Sequence, residues 1–367
     1  MIEVFPVAHS ILNPTSLASY IARHYDIGCV AECKFLNRGL NDTFLVETTT
    51  DKFILRVYHL NWRTKSDIAY ELEVLVYLAN KGADVSRPIK RKDGATFDAV
   101  IAPEGSRYLA LFTFAAGEAL DYEDGEEEKS LLYGRSVARI HTLTDSFSSE
   151  YKRFELSRDN LIDQPLKEIQ PLLSQRSEDW EYLVGFANAL SAKIEALDVS
   201  NILQKGFCHG DFHGWNAHID ENKQLTFFDF DCCGQGWRVY DIATFFWGAR
   251  IRDIHTKRCS AFLSGYTEVR SLSEAEIAAI PYFVAIRHIW LIGTLAANGG
   301  DLGYGWMDNK YMDYQMKLWR DLESECFRKT THDIYLSSPT PATISNSTEP
   351  SINQIDLSSA NNLDSAV

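Results

Sequence analysis

Two stretches decide the fold of this chain: FCHGDFHGWN at residues 207–216 and FFDFD at residues 227–231. They provide Asp211, then Asn216 five residues later, and then Asp229 after an apolar run. This order is typical of phosphoryl-transfer centres, in which a loop Asp meets the acceptor hydroxyl while an Asn and a later Asp hold Mg²⁺. The alternative is an Asp/Asn-rich turn between strands, where both residues are common. A plain turn does not require the whole constellation.

The residue types suit this chemistry. The transferring phosphoryl group carries dispersed negative charge, so catalysis depends mainly on positioning and charge neutralisation. Mg²⁺ prefers oxygen ligands and keeps several waters, so one carboxylate and one amide oxygen suffice. We therefore predict ATP and Mg²⁺ as cofactors, with Asn216 and Asp229 as the metal ligands.

Composition sets limits on the function. The 367 residues are enough for two lobes, and 45 % of them are hydrophobic. The net charge of −15 argues against a nucleic-acid partner. The same charge favours a cationic substrate, or it serves solubility alone.

The expected location is the cytoplasm. The seven cysteines include no CxxC pair, so the sequence indicates neither a disulfide framework nor a zinc site. The N-terminus has no secretory signal pattern. The most apolar run, residues 283–297, is interrupted by Arg287 and His288 and is too short to span a bilayer. We predict no membrane partner, and the oligomeric state stays open.

The first 115 residues are predicted to form a small β-rich lobe. A helix begins at Asn13-Pro14 and ends at His24, and a second helix, capped by Ser66, ends near Asn80. Strands are expected over residues 32–37, 43–49, 52–59, 97–101 and 108–114.

The remainder is predicted to be mainly helical. Helices are expected over residues 126–142, 180–197, 240–253, 256–269, 273–297 and 308–329, interrupted by a strand over 225–230. The Ser-, Thr-, Asn- and Pro-rich segment 331–367 reads as a disordered tail. The prediction is an α+β, bilobal protein-kinase-like fold with a β-rich nucleotide-binding lobe (1–115), a mainly helical catalytic and substrate lobe (116–330) and the tail.

The two opening stretches resemble the phosphotransferase family that includes aminoglycoside phosphotransferases, choline kinases and type II homoserine kinases. The resemblance covers roughly residues 15–325. Three further segments make it closest to bacterial stress-response kinase A (RdoA-like) Ser/Thr kinases: WRVYD at 237–241, RHIW at 287–290 and GYGW at 303–306.

The resemblance implies roles in the catalytic loop. Asp211 would be the catalytic base or the group that orients the acceptor hydroxyl, and Asn216 and Asp229 would bind Mg²⁺. His213 would lie near the transferring phosphate, or be a hydrogen-bonded loop histidine. Asp231 would contact a second metal or the substrate, or stabilise the loop.

Two more residues would support this loop. By the same resemblance His209 holds the loop in place. Asp241, near the start of the next helix, would accept backbone N–H bonds from the loop, as carboxylates near helix N-termini do.

The nucleotide side rests on weaker signals. Gly39 and Asn41 stand in NRGLN (37–41), where the phosphate-covering loop is expected, although the segment has one Gly rather than GxGxxG. Arg56 stands where most kinases have Lys, and Arg pairs phosphates bidentately. Glu71 is its expected ion-pair partner, whereas Glu73 faces away.

The adenine is expected at the backbone of residues 112–115, including Phe112 and Phe114. The acceptor pocket is poorly determined. Trp237, Trp247, Arg287, Trp290 and Trp306 fall on the substrate side by resemblance, but core packing explains each of them as well. Six acidic residues within 121–128 attract an amine-bearing substrate, or form an ordinary acidic helix start.

The predicted function is Mg²⁺-ATP-dependent transfer of the γ-phosphoryl group to a hydroxyl. The first version is a stress-response-type Ser/Thr kinase that acts on protein. The alternative is a small-molecule kinase whose acceptor is homoserine, choline or an aminoglycoside-like amino alcohol. A nucleotide-binding pseudokinase is the third interpretation, and the intact Asp211, Asn216 and Asp229 argue against it.

Overall fold

The computed structural model describes residues 3, 5–120, 127–251 and 255–336. Two compact units divide these residues. The first comprises the described residues up to 76 together with 85–115, and the second comprises 77–84 and the described residues from 116 to 336.

The first unit contains an antiparallel sheet with the strand order β1-β2-β3-β5-β4. Each strand predicted from the sequence is present, with its ends shifted by a few residues. The strands are β1 (Val30–Arg38), β2 (Asn41–Thr48), β3 (Lys52–Tyr58), β4 (Asp98–Ala102) and β5 (Gly105–Thr113).

Helix α1 (Pro14–His24) covers one face of this sheet. Successive side chains of a strand point to opposite faces, so alternate apolar residues of β2, β3 and β5 reach the same core. The buried residues of this core are Leu17, Ile21, Tyr25, Cys33, Phe44, Val46, Leu55, Val57, Leu109 and Leu111.

Local capping explains where the two helices of this unit begin. Asn13 caps α1, since its side chain accepts the Ser16 N–H at 2.9 Å. Helix α2 (Lys65–Asn80) begins earlier than predicted. The prediction of Ser66 as its cap is wrong. Thr64 accepts the Asp67 N–H at 3.1 Å, and Asp67 accepts the Thr64 N–H at 3.0 Å, so this pair satisfies two N–H groups at once.

The second unit is mainly helical, and each helix predicted for it is present. Its α-helices are α3 (Glu127–Leu143), α4 (Gln164–Ile169), α5 (Ser177–Val199), α6 (Arg238–Arg250), α7 (His255–Thr267), α8 (Glu274–Ala297), α9 (Gly299–Leu302) and α10 (Asn309–Arg328).

Helix α8 packs against α6 in the interior of this unit. Among the described residues, α8 alone is long and apolar enough to cross a membrane. Most of its apolar window is buried inside the protein, which is the arrangement of a core helix.

Short strands of the second unit frame the two opening stretches. They are β6 (Glu118–Ala119), β7 (Glu155–Leu156), β8 (Lys205–Cys208), β9 (Ala217–Ile219), β10 (Leu225–Phe227) and β11 (Gly234–Trp237), in sheets ordered β10-β9-β6 and β7-β11-β8. The predicted strand over 225–230 is too long. It ends at Phe227, since Asp229 adopts the left-handed conformation (φ 63°) and a 3₁₀ turn follows over Phe230–Cys232.

The start of the tail also differs from the prediction. Residues His332–Leu336 form a short helical segment, and Ile334 and Tyr335 are buried. The ring of Tyr335 lies 5.0 Å from that of Phe246. Residues 337–367 lie outside the described part of the chain, and so do residues 121–126, which hold four of the six acidic residues of the run 121–128.

Candidate active site

Asp211 is the centre of a buried polar cluster in the second unit. Arg287 Nη2 donates to its Oδ1 at 2.6 Å, and Asn216 Nδ2 donates to its Oδ2 at 3.0 Å. His213 Nε2 lies 3.4 Å from the same Oδ2. Only 1 % of the surface of Asp211 is exposed, so these groups rather than water stabilise its negative charge.

The cluster keeps Asp211 ionised. Burial, the largest influence, would raise the pKa of this carboxyl, but Arg287 and then His213 outweigh it and hold the pKa well below its ordinary value. A carboxylate with such a pKa accepts hydrogen bonds readily and is a weak proton acceptor in the ground state.

His213 is fixed in one orientation by the loop itself. Its Nδ1 accepts the Trp215 N–H at 3.2 Å, and its carbonyl accepts the Tyr133 hydroxyl at 2.8 Å. Because Nδ1 accepts, Nε2 is the nitrogen that carries a proton, and it lies 3.2 Å from Asn216 Nδ2 and 3.4 Å from Asp211 Oδ2. The structure thus supports a loop histidine packed against Asp211 and Asn216, and proximity to phosphate remains a prediction.

Asp241 anchors the backbone of the catalytic loop through hydrogen bonds. Its two carboxylate oxygens accept the N–H groups of His209 and Gly210, each at 2.8 Å, and His141 Nε2 lies 2.9 Å from Oδ2. His209 in turn bridges the two stretches: Nε2 contacts the Phe228 carbonyl at 3.0 Å, and Nδ1 accepts the Asp211 N–H at 3.1 Å. These contacts match the supporting positions expected for Asp241 and His209.

Gly210 makes the sharp turn before Asp211 possible. Its φ of +83° lies in the left-handed region, and a Cβ at this position would approach the Cys232 carbonyl oxygen to 2.4 Å. Only glycine fits both the backbone angle and the space, so the loop requires it.

Arg287 is the site residue that the sequence interpretation underrated. It lies in α8 with 1 % exposure, and its guanidinium is 5.2 Å from the Trp247 ring and 4.5 Å from the Trp290 ring. Both tryptophans are buried. The signal was available, because a charge inside the apolar run 283–297 must find a partner when that run is buried.

Asn216 and Asp229 come to the same end of the β9–β10 hairpin. Ala217 pairs with Phe227, and the Phe228 N–H donates to the Asn216 carbonyl at 3.0 Å, so Asp229 follows directly. The Asn216 amide nitrogen also donates to the Asp211 carbonyl at 2.9 Å. Its amide oxygen, contacted by no donor from the described protein, together with the Asp229 carboxylate fits a hard divalent cation.

Asp231 is directed into the protein. It is buried, its Oδ1 lies 3.2 Å from Cys232 Sγ, and its carbonyl accepts from Arg153. These contacts favour the loop-stabilising alternative for this residue.

In the first unit, Arg56 and Glu71 form a buried ion pair. Arg56 Nη1 lies 2.7 Å from Glu71 Oε1, and the Tyr58 hydroxyl donates to Glu71 Oε2 at 2.9 Å. The Arg56 guanidinium also lies 5.2 Å from the Phe112 ring. Glu73 is exposed. The pairing expected from the sequence is therefore present, while phosphate binding by Arg56 remains a prediction.

Gly39 lies in the tight turn between β1 and β2, and Asn41 is the first residue of β2. The two phenylalanines expected near the adenine, Phe112 and Phe114, differ in their surroundings. Phe112 lies within the sheet opposite Ile54, and residues 87–89 bond to the other edge of its strand. Phe114 follows the last residue of β5 and is 38 % exposed. Adenine binding at either backbone remains a prediction.

Comparison with known proteins identifies the family. The family model described as "Phosphotransferase enzyme family" matches residues 32–272. An uncharacterized protein of Deinococcus radiodurans is 34 % identical over 87 % of this chain and 92 % of its own. Amicoumacin kinase of Bacillus subtilis is 26 % identical over 80 % of this chain and 88 % of its own.

A solved structure gives the same answer for the fold. Amicoumacin kinase hAmiN, in complex with AMP-PNP, Ca²⁺ and Ami, superposes with a TM-score of 0.70 at 21 % identity and covers 87 % of this chain and 96 % of its own. The α+β kinase-like fold predicted from the sequence is confirmed. The chain belongs to the phosphotransferase enzyme family and is an ATP-dependent kinase.

Proposed function

We propose that this protein transfers the γ-phosphoryl group of Mg²⁺-ATP to a hydroxyl group of a small molecule in the cytoplasm. The observation that carries the proposal is Asp211, a buried carboxylate kept ionised by Arg287 and oriented by Asn216. A hydroxyl that approaches this carboxylate donates its hydrogen bond to Asp211 and directs its oxygen lone pair outward.

The comparisons favour a small acceptor over the protein acceptor that the sequence first suggested. Amicoumacin kinase is both a sequence relative and a fold neighbour, and its name gives a small-molecule acceptor. The net charge of −15 favours an acceptor that carries an amine. We therefore favour an amino alcohol, or an amino acid with a side-chain hydroxyl, as the acceptor class.

In the proposed mechanism, Asp211 orients the hydroxyl rather than deprotonating it in advance. Its low pKa makes early proton removal unfavourable. In a loose transition state the bond from the γ-phosphorus to the ADP oxygen is largely broken before the new P–O bond has formed, so the nucleophile needs little activation. The proton moves to Asp211 only as the new P–O bond forms and ADP leaves. Arg287 supports this role because it keeps the carboxylate charged, and Asn216 fixes the direction of Oδ2.

The remaining groups are assigned to the nucleotide. Asn216 and Asp229 would hold Mg²⁺, which when bound supplies charge neutralisation at the transferred phosphate. Arg56, held by Glu71, would bind the α- and β-phosphates through its planar guanidinium. The β1–β2 turn at Gly39 and Asn41 would cover the phosphates, and the backbone at Phe114 would meet the adenine.

ADP release from Mg²⁺-ATP tests the proposal. The full chain is assayed with a metabolite fraction of a cell extract, then with homoserine, choline and an aminoglycoside, and in parallel with the protein fraction. We expect stimulation by a small molecule and its loss in Asp211→Asn, with ATP binding retained in a thermal-shift assay. Asp313→Asn, at a side chain that is 71 % exposed, is the matched control and should behave like the wild type.

Two outcomes would overturn the proposal. Phosphate incorporation into the protein fraction alone, abolished in Asp211→Asn, would return the function to a protein kinase. Equal ADP release by the wild type and Asp211→Asn under every condition would remove Asp211 from the reaction.

A further inference from the structure

A second cluster of potential metal ligands lies in the first unit, outside the residues proposed for ATP. His9 precedes α1, Asp42 belongs to β2, and His59 directly follows β3. His9 Nε2 lies 3.3 Å and His59 Nε2 lies 3.2 Å from the same oxygen, Asp42 Oδ1. The three potential ligand atoms all lie within 4.8 Å of one another. The side chains are almost completely buried, at 6 %, 0 % and 4 % exposure for His9, Asp42 and His59.

Arg107 holds the carboxylate of Asp42 in place. Its Nη2 donates to Asp42 Oδ2 at 2.7 Å, which directs Oδ1 toward the two imidazoles. Arg107 is itself anchored, since it donates to the carbonyls of Tyr58 at 2.9 Å and Ser10 at 2.7 Å. Metal-binding carboxylates are commonly oriented by such outer partners, and a fixed ligand loses little freedom when the ion binds.

The distances suit a small transition-metal ion. With bonds of about 2.0–2.1 Å, neighbouring ligands of a tetrahedral ion lie roughly 3.3 Å apart. The two measured nitrogen–oxygen distances, 3.3 and 3.2 Å, agree with this edge length. Two imidazole nitrogens and one carboxylate oxygen form a donor set that suits Zn²⁺ better than Mg²⁺ or Ca²⁺.

One member of the cluster borders a cavity. His59 lines a cavity of about 320 Å³ whose other walls include Asn61, Arg63, Ser106 and Tyr108. Three protein ligands leave one position of a tetrahedral ion open, and water would complete the coordination there.

We propose that His9, Asp42 and His59 bind a divalent transition-metal ion of the Zn²⁺ class. The ion would join the N-terminal segment to β2 and β3 and so stiffen the sheet beside the Gly39 turn. The alternative is a hydrogen-bond network in which both imidazoles donate Nε2–H to Asp42 Oδ1. A bound metal ion would take the place of the two Nε2 protons. The melting temperature would therefore respond to added metal only if the cluster is a metal site. The proposal does not depend on the identity of the phosphoryl acceptor.

The test uses the full chain after dialysis against a chelator, with Co²⁺ as a spectroscopic probe and Zn²⁺ in a thermal-shift assay. We expect one equivalent of Co²⁺ to give the visible absorption of a tetrahedral site, and Zn²⁺ to raise the melting temperature. In His9→Gln and His59→Gln the affinity should fall at least about tenfold. Glutamine keeps an N–H donor toward Asp42, so a hydrogen-bond network would largely survive these changes.

Two controls identify the binding site. His24→Gln changes a histidine in α1 outside the cluster and should bind like the wild type. Cys29 is exposed, so the titrations are repeated in Cys29→Ser, in which the signal should persist. A wild type that shows no tetrahedral Co²⁺ spectrum would overturn the proposal whether or not the variants fold. Unchanged affinity in both His→Gln variants would overturn it as well.

Discussion

Replacing Arg287 by methionine removes the partner that keeps Asp211 ionised. The wild-type contact joins Arg287 Nη2 to Asp211 Oδ1 at 2.6 Å, and both residues are at most 1 % exposed. Methionine keeps an unbranched stem between Trp247 and Trp290, so the substitution removes the charge with little loss of packing volume.

The expected magnitude follows from burial and distance. Two unit charges about 4 Å apart interact by about 4 kcal/mol at an effective dielectric constant of about 20. Loss of one partner of a buried ion pair typically costs about 3–5 kcal/mol. By the relation of about 1.4 kcal/mol per tenfold, the ratio of ionised to protonated Asp211 should fall roughly a thousandfold.

The pH dependence has a definite sign. In the wild type the pKa of Asp211 lies well below its ordinary value, so turnover should have no acid limb from this group between about pH 5 and pH 8. In Arg287→Met the arginine no longer opposes the effect of burial on Asp211, so the pKa of Asp211 rises. Turnover should then fall as the pH is lowered through the new pKa, and the wild-type-to-variant ratio should grow on acidification.

Stability should change in the opposite direction. In the wild type the folded-state pKa of Asp211 lies below its unfolded value, so the ionised carboxylate stabilises the fold fully above the unfolded pKa, and this contribution is lost as the pH falls through the folded-state pKa. A roughly thousandfold change brings the pKa of Asp211 in the variant back toward its ordinary value and removes most of this contribution, so the stability deficit of Arg287→Met should be full near pH 7 and smaller below about pH 4. Urea unfolding followed by tryptophan fluorescence measures this deficit without knowledge of the acceptor.

A double-mutant cycle decides whether the two residues act as a pair. Asp211→Asn, Arg287→Met and their combination should show a coupling of about 2 kcal/mol or more. Arg320→Met is the matched control, since Arg320 pairs with Asp179 at 3.0 Å and lies over Tyr182 but is 54 % exposed, so its loss should cost about 1 kcal/mol or less. Additivity within about 0.5 kcal/mol, or a deficit that does not change with pH, would refute the reasoning.

Three further predictions follow from other contacts. Glu71→Gln leaves Arg56 without its charged partner and should raise KM for ATP several-fold with a smaller change in kcat; an unchanged KM in steady-state assays would detach this pair from nucleotide binding. Asp241→Asn leaves one carbonyl oxygen for the two loop N–H groups, so it should lower the free energy of unfolding by about 2–4 kcal/mol and reduce turnover. Unimpaired turnover would show that the loop positions Asp211 without Asp241. A chain that ends at residue 336 should melt like the full chain, while one that ends at residue 330 loses the buried Tyr335 and should melt several degrees lower; equal melting of both truncations would mean that this packing contributes nothing.

The sequence determined the class of the fold, the order of the elements and the family. Strand and helix periodicity are local properties, so the five strands of the first unit and the long helices of the second were predicted within a few residues. The spacing of Asp211, Asn216 and Asp229 indicated phosphoryl transfer because catalytic loops fix these groups over short chain distances. The support of the loop by Asp241 also followed from its position near a helix start.

Three predictions of local structure were wrong because another interaction was stronger than the one that the sequence suggested. Thr64 rather than Ser66 caps α2, since only Thr64 has a carboxylate three residues later to complete the pair. The strand before Asp229 ends early because this residue takes a left-handed conformation that no propensity signals. The predicted tail begins too soon, as Ile334 and Tyr335 bury apolar surface that composition alone did not reveal.

Only the tertiary structure decided which distant groups meet. Arg287 is 76 positions from Asp211 along the chain, and the family resemblance placed it on the substrate side but indicated no partner for it. His9, Asp42 and His59 come from three segments, and no spacing rule connects them. Such contacts depend on helix packing and sheet register over the whole unit. They determine the pKa of Asp211 and the proposed metal site, and the sequence therefore reached the chemistry of the family but not the electrostatics of its site.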